Sequence, residues 1–229
     1  FDVSGLRIAA RAYDDVSNSS DLAQVSSPFV DLSLTASDHA ISGSSSSVGL
    51  GGLCVGDFNN DGRADLVIPD RLHNGNTGRV TVLMGDADPD QMTQVHRIGL
   101  AAGGFFGTVC AVGDFNNDNN DDLAVGAVLD GGFGTGRVYV FNGSATGISA
   151  VADATITGSG ALFGFSLSAA GNVTGDANTD LVVGAKFFSA NAGKVYGFSG
   201  SALSGALSTA DASFTVTGAA GSQAGVAVV

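Results

Sequence analysis

An all-β fold built from repeated four-stranded antiparallel units is predicted by three observations on this 229-residue sequence. The first is composition: 35 Gly, only three Pro, no Trp and 44 % hydrophobic residues, with the apolar residues falling in short β-branched runs. Many short strands joined by tight turns have this composition, and a disordered chain does not. The second is internal repetition. "GDFNNDGRADLVI" (56–68) recurs as "GDFNNDNNDDLAVGA" (113–127) and again as "GNVTGDANTDLVVGA" (171–185). The third is that other landmarks keep the same step: "GRVTVLMG" (78–85), "GRVYVFNG" (136–143) and "GKVYGFSG" (193–200). Three landmarks in one phase, at a period of about 50–60 residues and four strands per unit, are the signature of β-propeller blades. A β-solenoid is the competing reading, but its repeats are usually shorter and lack a hairpin rhythm.

Each element of a unit has its own justification. The first strand follows a glycine-terminated segment, as in "TVCAVGD" (108–114), and leads into an acidic loop. The second strand follows that loop directly, as in "DLAVGA" (122–127). A Gly-rich hairpin such as "DGGFGTG" (130–136) then turns the chain into the third strand, "RVYVF". The fourth strand is short and alternating, as in "ATIT" (154–157). It leads to the next glycine-terminated segment: "VHRIGLAAGGFFG" (95–107), "ATITGSGALFG" (154–164) or "SFTVTGAAGSQAG" (213–225), with "HAISGSSSSVG" (39–49) ahead of the first unit.

The pair Phe-Gly at 106–107 and 163–164, followed about 20 residues later by Val-Gly-Ala at 125–127 and 183–185, resembles the FG-GAP repeat. That resemblance implies the β-propeller head found in integrin α subunits and in many secreted proteins. It covers residues 48 to about 217 well and the two ends partially. The first unit departs from it, with Val48-Gly49 in place of Phe-Gly and "VIPD" (67–70) in place of the Gly-Ala end.

The acidic loops are the candidate metal sites. In the first, alternate positions 1, 3, 5 and 9 are Asp57, Asn59, Asp61 and Asp65, and position 7, Arg63, offers its backbone carbonyl. Oxygen-only donors in this number suit a hard cation, Ca²⁺ rather than Zn²⁺. Gly62 at position 6 supplies a left-handed conformation. An EF-hand would carry a bidentate Glu at position 12; here Pro69 occupies that neighbourhood, and the strand-loop-strand site of the FG-GAP repeat is implied instead. The second loop offers Asp114, Asn116, Asp118 and Asp122 with the carbonyl of Asn120, and Asn119 stands at position 6. The third offers Asn172, Thr174, Asp176 and Asp180 with the carbonyl of Asn178. With two carboxylates left and Ala177 in place of Gly, the third loop is expected to bind Ca²⁺ more weakly than the other two. The ions would be structural, tying strands one and two of a blade and offsetting crowded carboxylates.

As a single domain over 1–229, the units divide into blades at about 48–104, 105–161 and 162–218, with a composite blade formed by 219–229 and 1–47. In that composite, "VAVV" (226–229) would supply the innermost strand, "LRIAARA", "PFVDLSL" and "DHAIS" the others, and no cation is expected after Ser4. Three closures stay open: a closed four-blade ring, a piece of a larger ring, or a terminal strand completing a blade in a neighbouring molecule.

A formal net charge of −13 argues against nucleic acid and anionic membrane surfaces, and no apolar run is long enough to span a bilayer. His39, His73 and His96 form no metal-binding spacing, and no nucleophile-elbow pattern is present. "GGFGTG" (131–136) lacks the Lys and helix of a phosphate-binding loop and reads as a hairpin. Cys54 and Cys110 fall on equivalent innermost strands, one residue out of register, and read as two buried thiols; a blade-to-blade disulfide is the alternative. The expected function, implied by the resemblance, is a secreted or cell-surface, non-catalytic, Ca²⁺-stabilised propeller. It would serve adhesion or recognition of a protein or glycan ligand. The alternatives are a self-assembly module linking subunits through incomplete terminal strands, and the accessory propeller of a secreted hydrolase or lyase.

Overall fold

A computed structural model describes residues 47–49, 51–88, 91–159 and 162–228. The first sheet runs β1 (Cys54–Gly56), β2 (Asp65–Asp70), β3 (Arg79–Met84) and β4 (Thr93–Ile98). The second runs β5 (Phe106–Gly113), β6 (Asp122–Ala127), β7 (Arg137–Phe141) and β8 (Ala154–Thr157). The third runs β9 (Phe163–Ala169), β10 (Leu181–Ala185) and β11 (Lys194–Phe198), ending on β13 (Phe214–Thr217). Within these sets of four every pairing is antiparallel and sequential, as propeller blades require. One strand breaks the pattern. β12 (Gly205–Ser208) lies in the β11–β13 connection yet pairs parallel with β8 of the preceding blade.

Because side chains alternate along a strand, each central strand divides its residues between two junctions. Leu123, Val125, Ala127, Tyr139 and Phe141 join Val67, Val80 and Val82 of blade one in one buried cluster. Ala124, Val138 and Val140 join Leu181, Val183, Tyr196 and Phe198 of blade three in the other. The core is therefore the space between blades. The Phe-Gly pairs sit there: Phe106 packs edge-on against Tyr139 at 5.6 Å, and Phe163 against Tyr196 at 5.5 Å. The glycine of Val-Gly-Ala has a matching reason, since a Cβ on Gly126 would lie 2.3 Å from the Gly164 carbonyl of the next blade. Ala224 and Gly225 repeat the Phe-Gly geometry, Ala224 bridging Gly193 as Phe106 bridges Gly78.

Two expectations are corrected. Cys54 and Cys110 are joined in a disulfide, with Cα atoms 6.2 Å apart. The one-residue offset between them is the cause. Ala111, level with Cys54 in the repeat, faces blade three, so its neighbour Cys110 faces back toward blade one and meets Cys54. Residues 226–228 form no strand, so the innermost strand expected there is absent among the described residues. The remainder of the proposed composite blade, residues 1–46, lies outside the described residues.

Candidate metal centre

Each acidic loop joins the first two strands of a blade, and left-handed residues fold it back on itself. Gly62, Asn119 and Ala177, all at position 6, have φ of 81°, 71° and 75°. Ala177 is the one that lacks conformational freedom there. Ala177→Gly is expected to stabilise the fold by about 0.5–1 kcal/mol, read as a raised denaturant midpoint at unchanged slope.

In the first loop both oxygens of Asp57 accept backbone N–H groups, from Asp61 at 3.0 Å and Gly62 at 2.8 Å. Asn59 donates to Asp61 at 2.9 Å, and Asp61 accepts the N–H of Arg63 at 2.8 Å. The second loop repeats this: Asp114 accepts from Asp118 and Asn119, Asn116 donates to Asp118, and Asp118 accepts from Asn120. The turn thus draws the side chains of positions 1, 3 and 5 together on its exposed side. Hydrogen bonds from Asn120 and Asn116 outweigh burial and hold the Asp118 carboxyl below its usual range.

Position 9 behaves differently. Asp65, Asp122 and Asp180 are fully buried, and each ties the start of its loop to the glycine that follows strand three. Asp65 accepts from Phe58 at 2.9 Å and Gly85 at 2.7 Å. Asp122 accepts from Phe115 at 2.9 Å and Gly143 at 2.8 Å. Asp180 accepts from Val173 and Gly200. Only glycine fits beside them, because a Cβ on Gly143 would stand 2.2 Å from the Asp121 carbonyl. Among the described residues, no three of His, Cys, Asp or Glu converge as a group that could hold a metal ion. The donor chemistry of loops one and two, oxygen throughout with three carboxylates each, still fits a hard cation, with positions 1, 3 and 5 as its exposed part.

Burial pushes the Asp122 carboxyl up to about 6 against opposing backbone hydrogen bonds, and pushes Asp65 up as well. A raised folded value means the native state binds that proton more tightly than the unfolded chain. The resulting stability is full below about pH 4 and is lost as pH rises through about 6. His96, lowered by burial, contributes the opposite slope. In chelator, the wild type is therefore expected to lose more of its thermal midpoint between pH 5 and pH 7 than Asp122→Asn, which keeps the His96 contribution and lacks the Asp122 one.

The third loop is closed by hydroxyls. Asp176 accepts from Ser199, from Ser201 at 2.6 Å and from the N–H of Asn178 at 3.0 Å. The two serines draw its carboxyl down to about 2. Thr174 donates its hydroxyl to Asp180 at 3.0 Å, and Asn172 accepts from Gly175. Asn178 turns its side chain away from the loop, donating at 2.6 Å to the Phe115 carbonyl of the preceding blade.

The loops are also joints between blades, a role that residue types alone did not reveal. Asp57 accepts at its carbonyl from the Asp121 N–H at 3.1 Å, while its own N–H donates to the Asp121 carboxylate at 2.8 Å. Thr179 donates to the Asp114 carbonyl at 3.2 Å. Phe58 and Phe115, at position 2, are buried in the junction with the following blade. Val173 holds the same position in the third loop and is 56 % exposed. The sequence signal was available: an aromatic residue at position 2 in the first two loops and none in the third.

The FG-GAP repeat profile matches residues 51–83, 106–141 and 163–198, one match on each blade. Similar proteins include phosphatidylinositol-glycan-specific phospholipase D of Bos taurus, 38 % identical over 152 residues, which are 57 % of this chain and 18 % of that protein. Integrin alpha-IIb of Mus musculus is 34 % identical over 149 residues, 58 % of this chain and 14 % of its own length. Integrin alpha-PS2 of Drosophila melanogaster is 35 % identical over 153 residues, 58 % of this chain and 11 % of its own. The chain thus spans less than a fifth of each of these relatives. With one matched repeat on each of three blades in register, it belongs to the FG-GAP repeat family.

Proposed function

We propose that this chain is part of an extracellular, non-catalytic β-propeller that recognises a protein or glycan ligand and is stiffened by Ca²⁺ in its acidic loops. The observation that carries the reading is the double use of those loops. The same short turn that gathers Asp57, Asn59 and Asp61, or Asp114, Asn116 and Asp118, is bonded through its backbone to the next blade. Asp57, Asn59, Asp61, Asp65 and the carbonyl of Arg63 would hold the first ion. Asp114, Asn116, Asp118, Asp122 and the carbonyl of Asn120 would hold the second. Bound Ca²⁺ supplies positive charge that offsets the carboxylates, so its binding energy adds to that of folding. The third loop, with Asn172, Thr174, Asp176, Asp180 and the carbonyl of Asn178, competes against the Ser199 and Ser201 hydroxyls and is the weakest site. The disulfide supports an oxidising, extracellular setting. Among the described residues no helix is long and apolar enough to cross a membrane.

Calorimetric titration with Ca²⁺ tests the reading. Two sites are expected, one lost in Asp61→Ala and the other in Asp118→Ala; absence of any binding heat at millimolar Ca²⁺ would end it. A second reading, assembly through strand exchange, is favoured by β12, which already reaches from one blade to complete its neighbour's edge. It predicts a mass above that of one chain in concentrated solution by light scattering. The relative named as a phospholipase D keeps the accessory-propeller reading open for the longer protein.

A further inference from the structure

One position of the fourth strand breaks the repeat. In blade two Ile156 pairs with Val138, and in blade three Val216 pairs with Val195. In blade one the same register pairs Arg97 with Val80. Ile156 is fully buried, paired to Leu207 of β12 and clustered with Leu203, so an aliphatic seal closes the junction of blades two and three. At the junction of blades one and two a guanidinium takes that place. The covering strand is also missing there. Between β11 and β13 lie 15 residues, enough to lay β12 along β8, but between β7 and β8 only 12, three fewer. The shorter stretch is held to β4 by Arg97 itself, which donates to the carbonyls of Ser149 at 2.6 Å, Ile148 at 2.7 Å and His96 at 3.0 Å.

Those bonds use three of the five N–H groups of a guanidinium and leave its charge unmatched. Arg63, Arg79 and Arg137 stand 3.7, 3.9 and 2.5 Å from a carboxylate, whereas Arg97 has no carboxylate partner among the described residues. Beside it lies a groove of about 460 Å³, within the range of about 300–1,000 Å³ usual for ligand sites. Phe106 and Tyr139 floor it, and Leu100 and Val151 stand exposed at its rim. The His96 ring is bonded to Thr81 at 3.0 Å, and the Tyr139 hydroxyl donates to Asp130, whose charge Arg137 offsets. No carboxylate lines the groove, in a chain with 22 Asp and Glu. An apolar groove with one unmatched cation is complementary to an anion that carries an apolar body.

We propose that this groove binds a small amphipathic carboxylate, its acid group paired with the Arg97 guanidinium and its apolar body lying over Phe106 and Tyr139. The pair gains charge-assisted hydrogen bonds in a partly desolvated place. The apolar body restores the burial that Arg in place of Ile gives up. The inference goes beyond the macromolecular recognition proposed above. No acidic-loop ligand lines the groove, so either reading can fail without the other.

Octanoate, used below its micellar range, is the probe. Titrated into the isotope-labelled full chain, it is expected to give saturable amide shifts confined to residues 96–100 and 148–155. Octan-1-ol should bind there about tenfold more weakly or worse, the worth of one charge-assisted pair, and octylammonium should give no saturable shift. Arg97→Ile, which installs the residue blade two carries, should erase the preference for octanoate over octanol. Val151→Glu, at a site 76 % exposed and so not needed for folding, provides a second reading. It should weaken octanoate roughly tenfold and octanol much less. Equal binding of octanoate and octanol by the wild type would overturn the proposal, as would the absence of saturable shifts. Acetate competing as well as octanoate would also overturn it, since the groove would then hold an ion only.

Discussion

Phe115→Ala is expected to destabilise the chain by about 3–5 kcal/mol, the usual cost of truncating a buried phenylalanine. Phe115 is 1 % exposed and packs with Leu181, Tyr196, Phe198 and Leu203 of the following blade. Its carbonyl also accepts the Asn178 side chain, and its N–H is held by Asp122. Removing the ring empties the junction at the point where loop, strand and next blade meet, and the rigid strands around it leave little room to collapse. Against a total of roughly 5–15 kcal/mol for a domain, that is a large share. Val173→Ala, at the same loop position in blade three, is expected to change stability by less than about 0.5 kcal/mol, because Val173 is exposed. Urea unfolding of both variants measures the contrast. Equal costs would mean that position 2 does not anchor one blade to the next.

Loss of the disulfide is the second large effect. The bond joins residues separated by 56 positions, and closing such a loop removes about 4 kcal/mol of unfolded-state entropy in the chain-entropy model. It also ties the innermost strands of blades one and two, where β1 is only three residues long. Replacing both cysteines by serine is expected to cost roughly 2–5 kcal/mol, with blade one losing amide protection first in hydrogen exchange. Protection lost uniformly over all three blades would show that β1 gains no special support from the bond.

Much of the fold was legible because repetition repeats physics. Each Phe-Gly and Val-Gly-Ala marks a close approach between blades, so spacing alone placed the strands. The left-handed position 6 was likewise legible, since Gly62 and Asn119 are residue types that tolerate it. Three features were not. The second role of Asp65 and its equivalents, as acceptors of N–H groups from the loop start and from the glycine after strand three, was hidden, because spacing does not say which backbone groups a carboxylate meets. The cysteine pair was misread because register along a strand sets height, whereas parity sets the face, and the one-residue offset turns the two thiols toward each other. β12 was missed because a three-residue difference in a connection carries no pattern of its own.

Cation-charged joints between blades make stability depend on the ion, and thermal unfolding in 1 mM Ca²⁺ against EDTA at neutral pH measures that dependence. A bound ion at about 100 times its dissociation constant adds about 2.7 kcal/mol. The midpoint is therefore expected to fall by several degrees in EDTA, and by less in Asp61→Ala or Asp118→Ala, each of which lacks one site. A wild-type midpoint that is the same in Ca²⁺ and in EDTA would mean that no cation charges these joints.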